Sequence, residues 1–244
     1  MTVSKILKKN KNIAHYFFGM RGGVSSGQFS SLNCGIGSLD KKKNVIKNLN
    51  IVKKRIGCKK NNLLLLNQVH SNKIFKINNV VKKKLIGDGF FTSKKNIALG
   101  ILTADCAPVF IYDKKLKIIG AAHAGWKGAY KGIIKNLINS FKKEGSNINN
   151  IIAVIGPCIS KKNYEVKNDF VKKFLKKNKK NKIFFNFNKK NIYFNLSHYI
   201  KHQFLSMGVQ RIEVIKKDTY AKKNNFFSSR RSSKKKFNDY GRNI

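Results

Sequence analysis

Three apolar runs of strand length constrain this chain more than any other feature: Leu63 to His70, Ile97 to Cys106 and Ile118 to His123. A strand with one wet face alternates apolar and polar residues, whereas a strand covered on both faces reads as a near-continuous hydrophobic stretch. The runs therefore predict a buried sheet. Helical stripes elsewhere supply its cover. Val45, Leu49, Val52 and Ile56 recur at helical spacing within Lys43 to Gly57, and Ile133, Ile134, Leu137, Ile138 and Phe141 form a second stripe ending at Gly145. Val166 to Lys177 and Asn195 to Met207 read as two more helices, with Lys176 to Lys182 a basic connection. Further strands are expected at Ile13 to Phe18, Ile74 to Val81, Ile151 to Ile155 and Arg211 to Ile215. Turns fall at Arg21-Gly22-Gly23 and Gly87-Asp88-Gly89, and Ser25 to Asn33 is a polar loop. The alternation predicts an α/β (mixed α+β) fold with packed mixed β-sheets flanked by helices. No repeat or linker divides residues 1–244, which read as a single domain.

The ends of the three runs carry the chemistry. His70, Cys106 and His123 stand there, separated by 36 and 17 residues. Such spacing is unlike a compact zinc finger and matches three strand ends gathered on one rim. Two imidazoles and a thiolate suit zinc, and three protein ligands leave a fourth position open, the form of a catalytic site. Within a strand, Asp105 would point away from Cys106 and serve as a supporting carboxylate. After His123, the segment Gly125-Trp126-Lys127-Gly128 is a strand-to-helix turn of the kind that meets anions. His198 and His202 lie four apart on a predicted helix but lack the glutamate of H-E-x-x-H, and read as a structural pair. Of the other cysteines, Cys34 and Cys158 read as small buried hydrophobes and Cys58 as ordinary; no C-x-x-C pair occurs.

Charge raises another function class. The chain has 53 Lys and Arg against 10 Asp and Glu, a formal +43. Basic proteins neutralise phosphates, so nucleic-acid binding is the obvious reading. The lysines are scattered in short runs, however, such as Lys41 to Lys43, Lys82 to Lys84 and Lys234 to Lys236. With abundant Asn, Ile and Phe, this is the composition an AT-rich genome produces, and no specific nucleic-acid partner is expected. In such a chain the retained acids Asp88, Asp105, Glu165 and Asp218 stand out. No segment reads as a signal peptide or a membrane span, so the expectation is a cytoplasmic protein without a membrane partner.

The blocks HYFFGMRGGVSSGQFSSLNCG, NQVHSNK, GDGFFTS, ALGILTADCAPVFIYD, IGAAHAGWKGAYKGII and IGPCISKKNYEV, with a weaker FFSSRRSSKK, resemble the YfiH-like family. That family carries both a laccase-domain (polyphenol oxidoreductase) name and a purine nucleoside phosphorylase description. The resemblance implies that His70, Cys106 and His123 are the catalytic zinc ligands, with copper the lesser choice. It implies phosphorolysis of adenosine, inosine, guanosine and methylthioadenosine, with purine nucleosides and phosphate as partners, and adenosine deamination beside it. Arg21, Gln68 and Arg230 are then the candidate substrate-binding residues, with Arg231 beside them, because a guanidinium suits phosphate. The chain departs from the family pattern at Ser229, where a tyrosine is usual, at Ser232-Ser233, where Asp-Gly is usual, and at Asp218-Thr219-Tyr220, where Cys-Thr-Tyr is usual. It also stops at Gly241-Arg242-Asn243-Ile244, where relatives continue into a last strand. Multicopper oxidation fits poorly, since there are five histidines and no H-x-H pair. Two alternatives stand: a hydrolase editing a peptidoglycan precursor at the same site, and, last, a non-enzymatic nucleic-acid-binding protein. Preferred nucleoside and oligomeric state are left open.

Overall fold

The computed structural model describes residues 1–58, 62–80, 84–188 and 191–244. Its strands are β1 (Leu63–Leu65), β2 (Ile74–Lys76), β3 (Gly89–Thr92), β4 (Ala98–Gly100), β5 (Ala107–Asp113) and β6 (Ile118–Ala124). They continue with β7 (Ile151–Ile155), β8 (Glu165–Val166), β9 (Phe185–Asn188), β10 (Asn191–Phe194) and β11 (Arg211–Val214). The helices are α1 (Lys5–Lys8), α2 (Lys42–Arg55), α3 (Trp126–Lys131), α4 (Ile133–Lys143), α5 (Asn168–Lys177), α6 (Leu196–Ser206) and α7 (Ser229–Lys234). Among the described residues, no helix is long and apolar enough to cross a membrane.

A six-stranded mixed sheet, ordered β11-β7-β5-β6-β3-β2, forms the centre. Its middle strands β5, β6 and β7 are antiparallel neighbours, while β11 joins β7 and β2 joins β3 in parallel. Every residue of β3 and β7 is buried, and β5 and β6 each expose only one residue partially. Of the three continuous runs, Ile118 to His123 lies in this sheet as β6, covered on both sides, while the other two supply β1 and β4 of a separate parallel pair. Asp113 makes the tight β5–β6 turn, its Oδ1 accepting the amides of Lys115 and Leu116 at 2.8 and 2.9 Å.

One face of the sheet packs on α4 and α6. Ile133, Ile134, Leu137, Ile138 and Phe141 of α4 are fully buried there, each worth about 1.5–3 kcal/mol of transfer free energy. The other face packs on the small parallel pair β1–β4, where the strand period of two divides the work. Leu64 and Leu66 meet Phe90 and Ala121 of the large sheet, while Leu63 and Leu65 turn outward to Val45, Leu49 and Val52 of α2. The result is helix, sheet, sheet, helix, the mixed α/β architecture expected. A three-stranded antiparallel sheet, β8-β10-β9, flanks it. Lys41 to Lys43 and Lys234 to Lys236 are all exposed, as solvated surface charge should be.

Several boundaries differ from expectation, for physical reasons. The run Ile97 to Cys106 is not one strand. Its first part, β4, belongs to the small sheet, so the chain must leave β4 and turn at Asp105, whose φ is +86°, before entering β5. Likewise the run from Leu63 ends as a strand at Leu65; Asn67 makes a single bridge to Ile86, and His70 sits in a loop at φ +56°. The expected strand Ile13 to Phe18 reduces to a bridge between Phe17 and Thr2. The strands β3, β5 and the flanking sheet had no expectation of their own. Val81, the last residue of the expected strand from Ile74, lies outside the described residues, as do Lys82 and Lys83.

Candidate metal centre

The register of β5 on β6 pairs Ala107 with Ala124 and Pro108 with His123, which brings Cys106 to the end of β6. The loop after β1 delivers His70 to the same point. The ligand atoms of His70, Cys106 and His123 all lie within 4.8 Å of one another, with Cys106 Sγ 3.8 Å from His70 Nε2. The two imidazoles meet nearly edge to face, centroids 4.7 Å apart. Gly125 makes the approach possible. A Cβ there would stand 2.7 Å from Cys106 Sγ and 3.0 Å from His70 Cδ2, so any side chain would push into the donor cluster.

Asp88 organises this floor. It is fully buried in the turn before β3. Its Oδ1 lies 2.8 Å from His123 Nδ1 and accepts the His70 amide at 3.0 Å, and its Oδ2 accepts the Ser71 amide and hydroxyl at 2.6 and 2.7 Å. Its carbonyl accepts the His123 amide at 2.7 Å. One carboxylate therefore fixes the His123 tautomer, leaving Nε2 for a metal, and holds His70 in its left-handed conformation. Burial alone would raise the Asp88 pKa, but the hydrogen bonds from His123 and Ser71 and the nearby imidazole charge hold it well below the usual range. Cys106 follows the same pattern. Burial opposes its thiolate, yet the charges and hydrogen bonds of His123 and His70 bring it down to about 6. Burial lowers and the Cys106 and Asp88 charges raise His123, with the net at about 9. Each of Cys106 and His123 thus favours the charged form of the other.

Above the floor lies a cavity of about 190 Å³, lined by His70, Cys106, Asp105, Tyr164, Leu196, Ser229, Arg230 and Tyr240 among others. Its wall is assembled from distant segments. Asp218 accepts from the Ser160 amide at 3.1 Å, the Ser160 hydroxyl at 2.7 Å and the Asn163 side chain at 2.6 Å, pinning the loop that carries Tyr164. Burial pushes the Tyr164 phenol far above its usual range, so it stays neutral. Arg230 lies over the Tyr164 ring at 5.6 Å and donates from Nη1 to the Glu165 carbonyl at 3.0 Å.

The other predicted site residues go to different places. Arg231 donates to the carbonyls of Thr219, Tyr220 and Phe226, which makes it a loop tie. Gln68 does not line the cavity; its amide pairs with both backbone groups of Leu102 at 2.8 Å, bridging the segments after β1 and β4. Arg21 is exposed and outside the cavity lining. His198 and His202 are exposed, edge-on to Phe184 at 5.2 and 5.3 Å. Cys34 and Cys158 are buried, their thiols pushed up to about 12 by burial. Sequence reasoning left Asp88 without a role and did not single out Tyr164 or Tyr240. For Asp88, its retention in an acid-poor chain was the available signal.

Residues 14–244 match the family described as multi-copper polyphenol oxidoreductase laccase. The chain belongs to that family. Among curated proteins in which the similarity extends to this laccase-family chain is a purine nucleoside phosphorylase of Rickettsia conorii, 41% identical over 176 residues, covering 71% of this chain and 72% of the relative. A purine nucleoside phosphorylase of Bacteroides thetaiotaomicron is 30% identical over 92% of this chain and 88% of its own. The crystal structure of the Bacillus licheniformis hypothetical protein YfiH superposes with a TM-score of 0.85 at 29% identity, covering 93% of this chain and 89% of that one. Among the described residues, His70, Cys106 and His123 make one cluster fit for a single ion.

Proposed function

We propose that this laccase-family chain is a zinc-dependent purine nucleoside phosphorylase acting on adenosine, inosine, guanosine or methylthioadenosine in the cytoplasm, with adenosine deamination as a second activity of the same site. One observation carries the reading: a two-histidine, one-cysteine donor set opens onto a cavity whose wall carries an arginine. The activity for which the relatives are named supports it. The donors favour zinc, because a copper site built on the same trio commonly adds a weak axial methionine and none lines the cavity.

When bound, the ion supplies Lewis-acid polarisation of a substrate atom or a water. The remaining work falls to the chain. His70 and Cys106 line the cavity, His123 stands beside them with its ring held by Asp88, and the two imidazoles favour the thiolate form of Cys106. Arg230 offers a planar cation for a phosphate oxygen pair. Tyr164 stays protonated and so adds no negative charge beside the incoming anion.

The test is product analysis on zinc-loaded protein given adenosine. Adenine and ribose 1-phosphate that appear only when phosphate is added support phosphorolysis. Inosine as the main product makes deamination the principal activity. Neither product, from folded protein with one zinc per chain, contradicts the nucleoside reading and turns attention to the peptidoglycan-precursor hydrolase.

A further inference from the structure

We propose that Asp105 is a positioning residue that sets the distance between the metal ligands and the anion-binding arm Arg230. This rests on the phosphorolysis reading above. Asp105 precedes the ligand Cys106 directly, and it is buried. Its Oδ1 accepts the Thr219 hydroxyl at 2.6 Å, while Oδ2 accepts the Ser228 hydroxyl at 2.9 Å and the backbone amide of Arg230 at 2.7 Å. Its carbonyl accepts the Ile159 amide at 3.0 Å. One residue therefore fastens three wall segments to the residue next to Cys106.

The tie reaches Arg230 through the main chain. Ser228 caps α7 by accepting the Arg231 amide at 3.1 Å, and Asp105 binds both that cap and the first-turn amide of Arg230. A charged acceptor on a first-turn amide is stronger than a neutral one and complements the helix end. Nothing else among the contacts of Arg230 joins it to the floor, since its guanidinium bonds the Glu165 carbonyl and rests on Tyr164. Losing the carboxylate would free the α7 start while leaving the donor cluster, which Asp88 and Gly125 hold, in place.

The backbone at Asp105 supplies a clean variant. At φ +86° alanine adds strain, whereas glycine occupies this region readily. Asp105→Gly therefore removes the carboxylate and keeps the turn into Cys106. Asp105→Asn keeps an acceptor for Ser228 and Arg230 and an amide for the Thr219 oxygen. The experiment measures zinc affinity, hydrogen exchange of the Ser229 to Lys234 amides, and the KM for phosphate and for nucleoside in both variants. Asp105→Gly should keep zinc affinity within about twofold, speed α7 exchange by about tenfold or more, and raise the phosphate KM about tenfold with little change in nucleoside KM. Asp105→Asn should stay near wild type. Loss of zinc in Asp105→Gly without faster α7 exchange would overturn the proposal, because Asp105 would then serve Cys106. Unchanged exchange and unchanged phosphate KM would overturn it as well. If wild type shows no phosphate-dependent turnover, the functional reading fails separately, and exchange together with titration of inorganic phosphate still decides the positioning role. Should Asp105→Gly not fold, Thr219→Val and Ser228→Ala cut single ties, and the same exchange readout must rise in both.

Discussion

The floor and the wall of this site are held by two different kinds of construction. On the floor, His123 lies in a central strand, Gly125 follows it, and Asp88 stands in the turn of the neighbouring strand, so sheet register does most of the placing. On the wall, Tyr164, Ser229, Arg230 and Tyr240 come from loops and a single short helix, the first three gathered by Asp105, Asp218 and Arg231 and Tyr240 held by Arg242. Each region has one buried carboxylate at its hub, yet they do unlike jobs. Asp88 fixes rings that donate to a metal, and Asp105 fixes a backbone that carries a cation. Metal retention and anion binding are therefore proposed to be separable, because the hydrogen bonds of Asp105 go to Thr219, Ser228, Arg230 and Ile159 rather than to His70 or His123.

That separation can be broken by experiment. The largest effect is expected at Asp88→Asn, which disturbs the orientation of both histidines at once. Zinc affinity should fall by about 10–100-fold, as measured by competition with a chromogenic chelator. An unchanged affinity would mean the rings are held by packing alone. Next comes Arg230→Ala. Its phosphate KM should rise about tenfold, with zinc affinity and nucleoside KM nearly constant in steady-state assays. A parallel loss of zinc would join the two regions that the geometry keeps apart.

A smaller effect follows from the metal-free ion pair. Cys106 is depressed to about 6, so its contribution to stability is present at high pH and lost as pH falls through 6. His123 is raised to about 9, so its contribution is complete at low pH and lost as pH rises through 9. The pair is therefore intact between about pH 6 and pH 9. Iodoacetamide should alkylate Cys106 in chelator-treated protein at a nearly constant rate across that window and slow below it, read by peptide mass spectrometry. Alkylation that begins only near pH 9, the ordinary thiol range, would show that no pair forms.

The floor was legible in the sequence because three apolar runs stop at His70, Cys106 and His123, although the structure places His70 in the loop after β1, Cys106 just before β5 and His123 within β6. The layers were legible for the same reason. The wall was not, since its bonds join Asp105 to Thr219, Ser228 and Arg230, more than a hundred positions away, and no local period encodes such ties. Asp105 lies outside any strand, in a left-handed turn, so strand alternation does not set its direction as expected. Gln68 shows the converse hazard. A polar residue two positions from a ligand serves the backbone of Leu102 instead of the cavity. Arg230 and Arg231 are adjacent in sequence, yet one faces the cavity and the other ties a loop, a distinction only the helix start could make.

One metal held by His70, Cys106 and His123 is proposed to make this chain a nucleoside phosphorylase. The most direct measurement is phosphate-dependent release of adenine from adenosine by wild type and Cys106→Ala, with zinc content determined on the same samples. The account predicts about one zinc and phosphate-dependent release in wild type, and loss of both in the variant. Undiminished release from a Cys106→Ala protein that holds no zinc would contradict it.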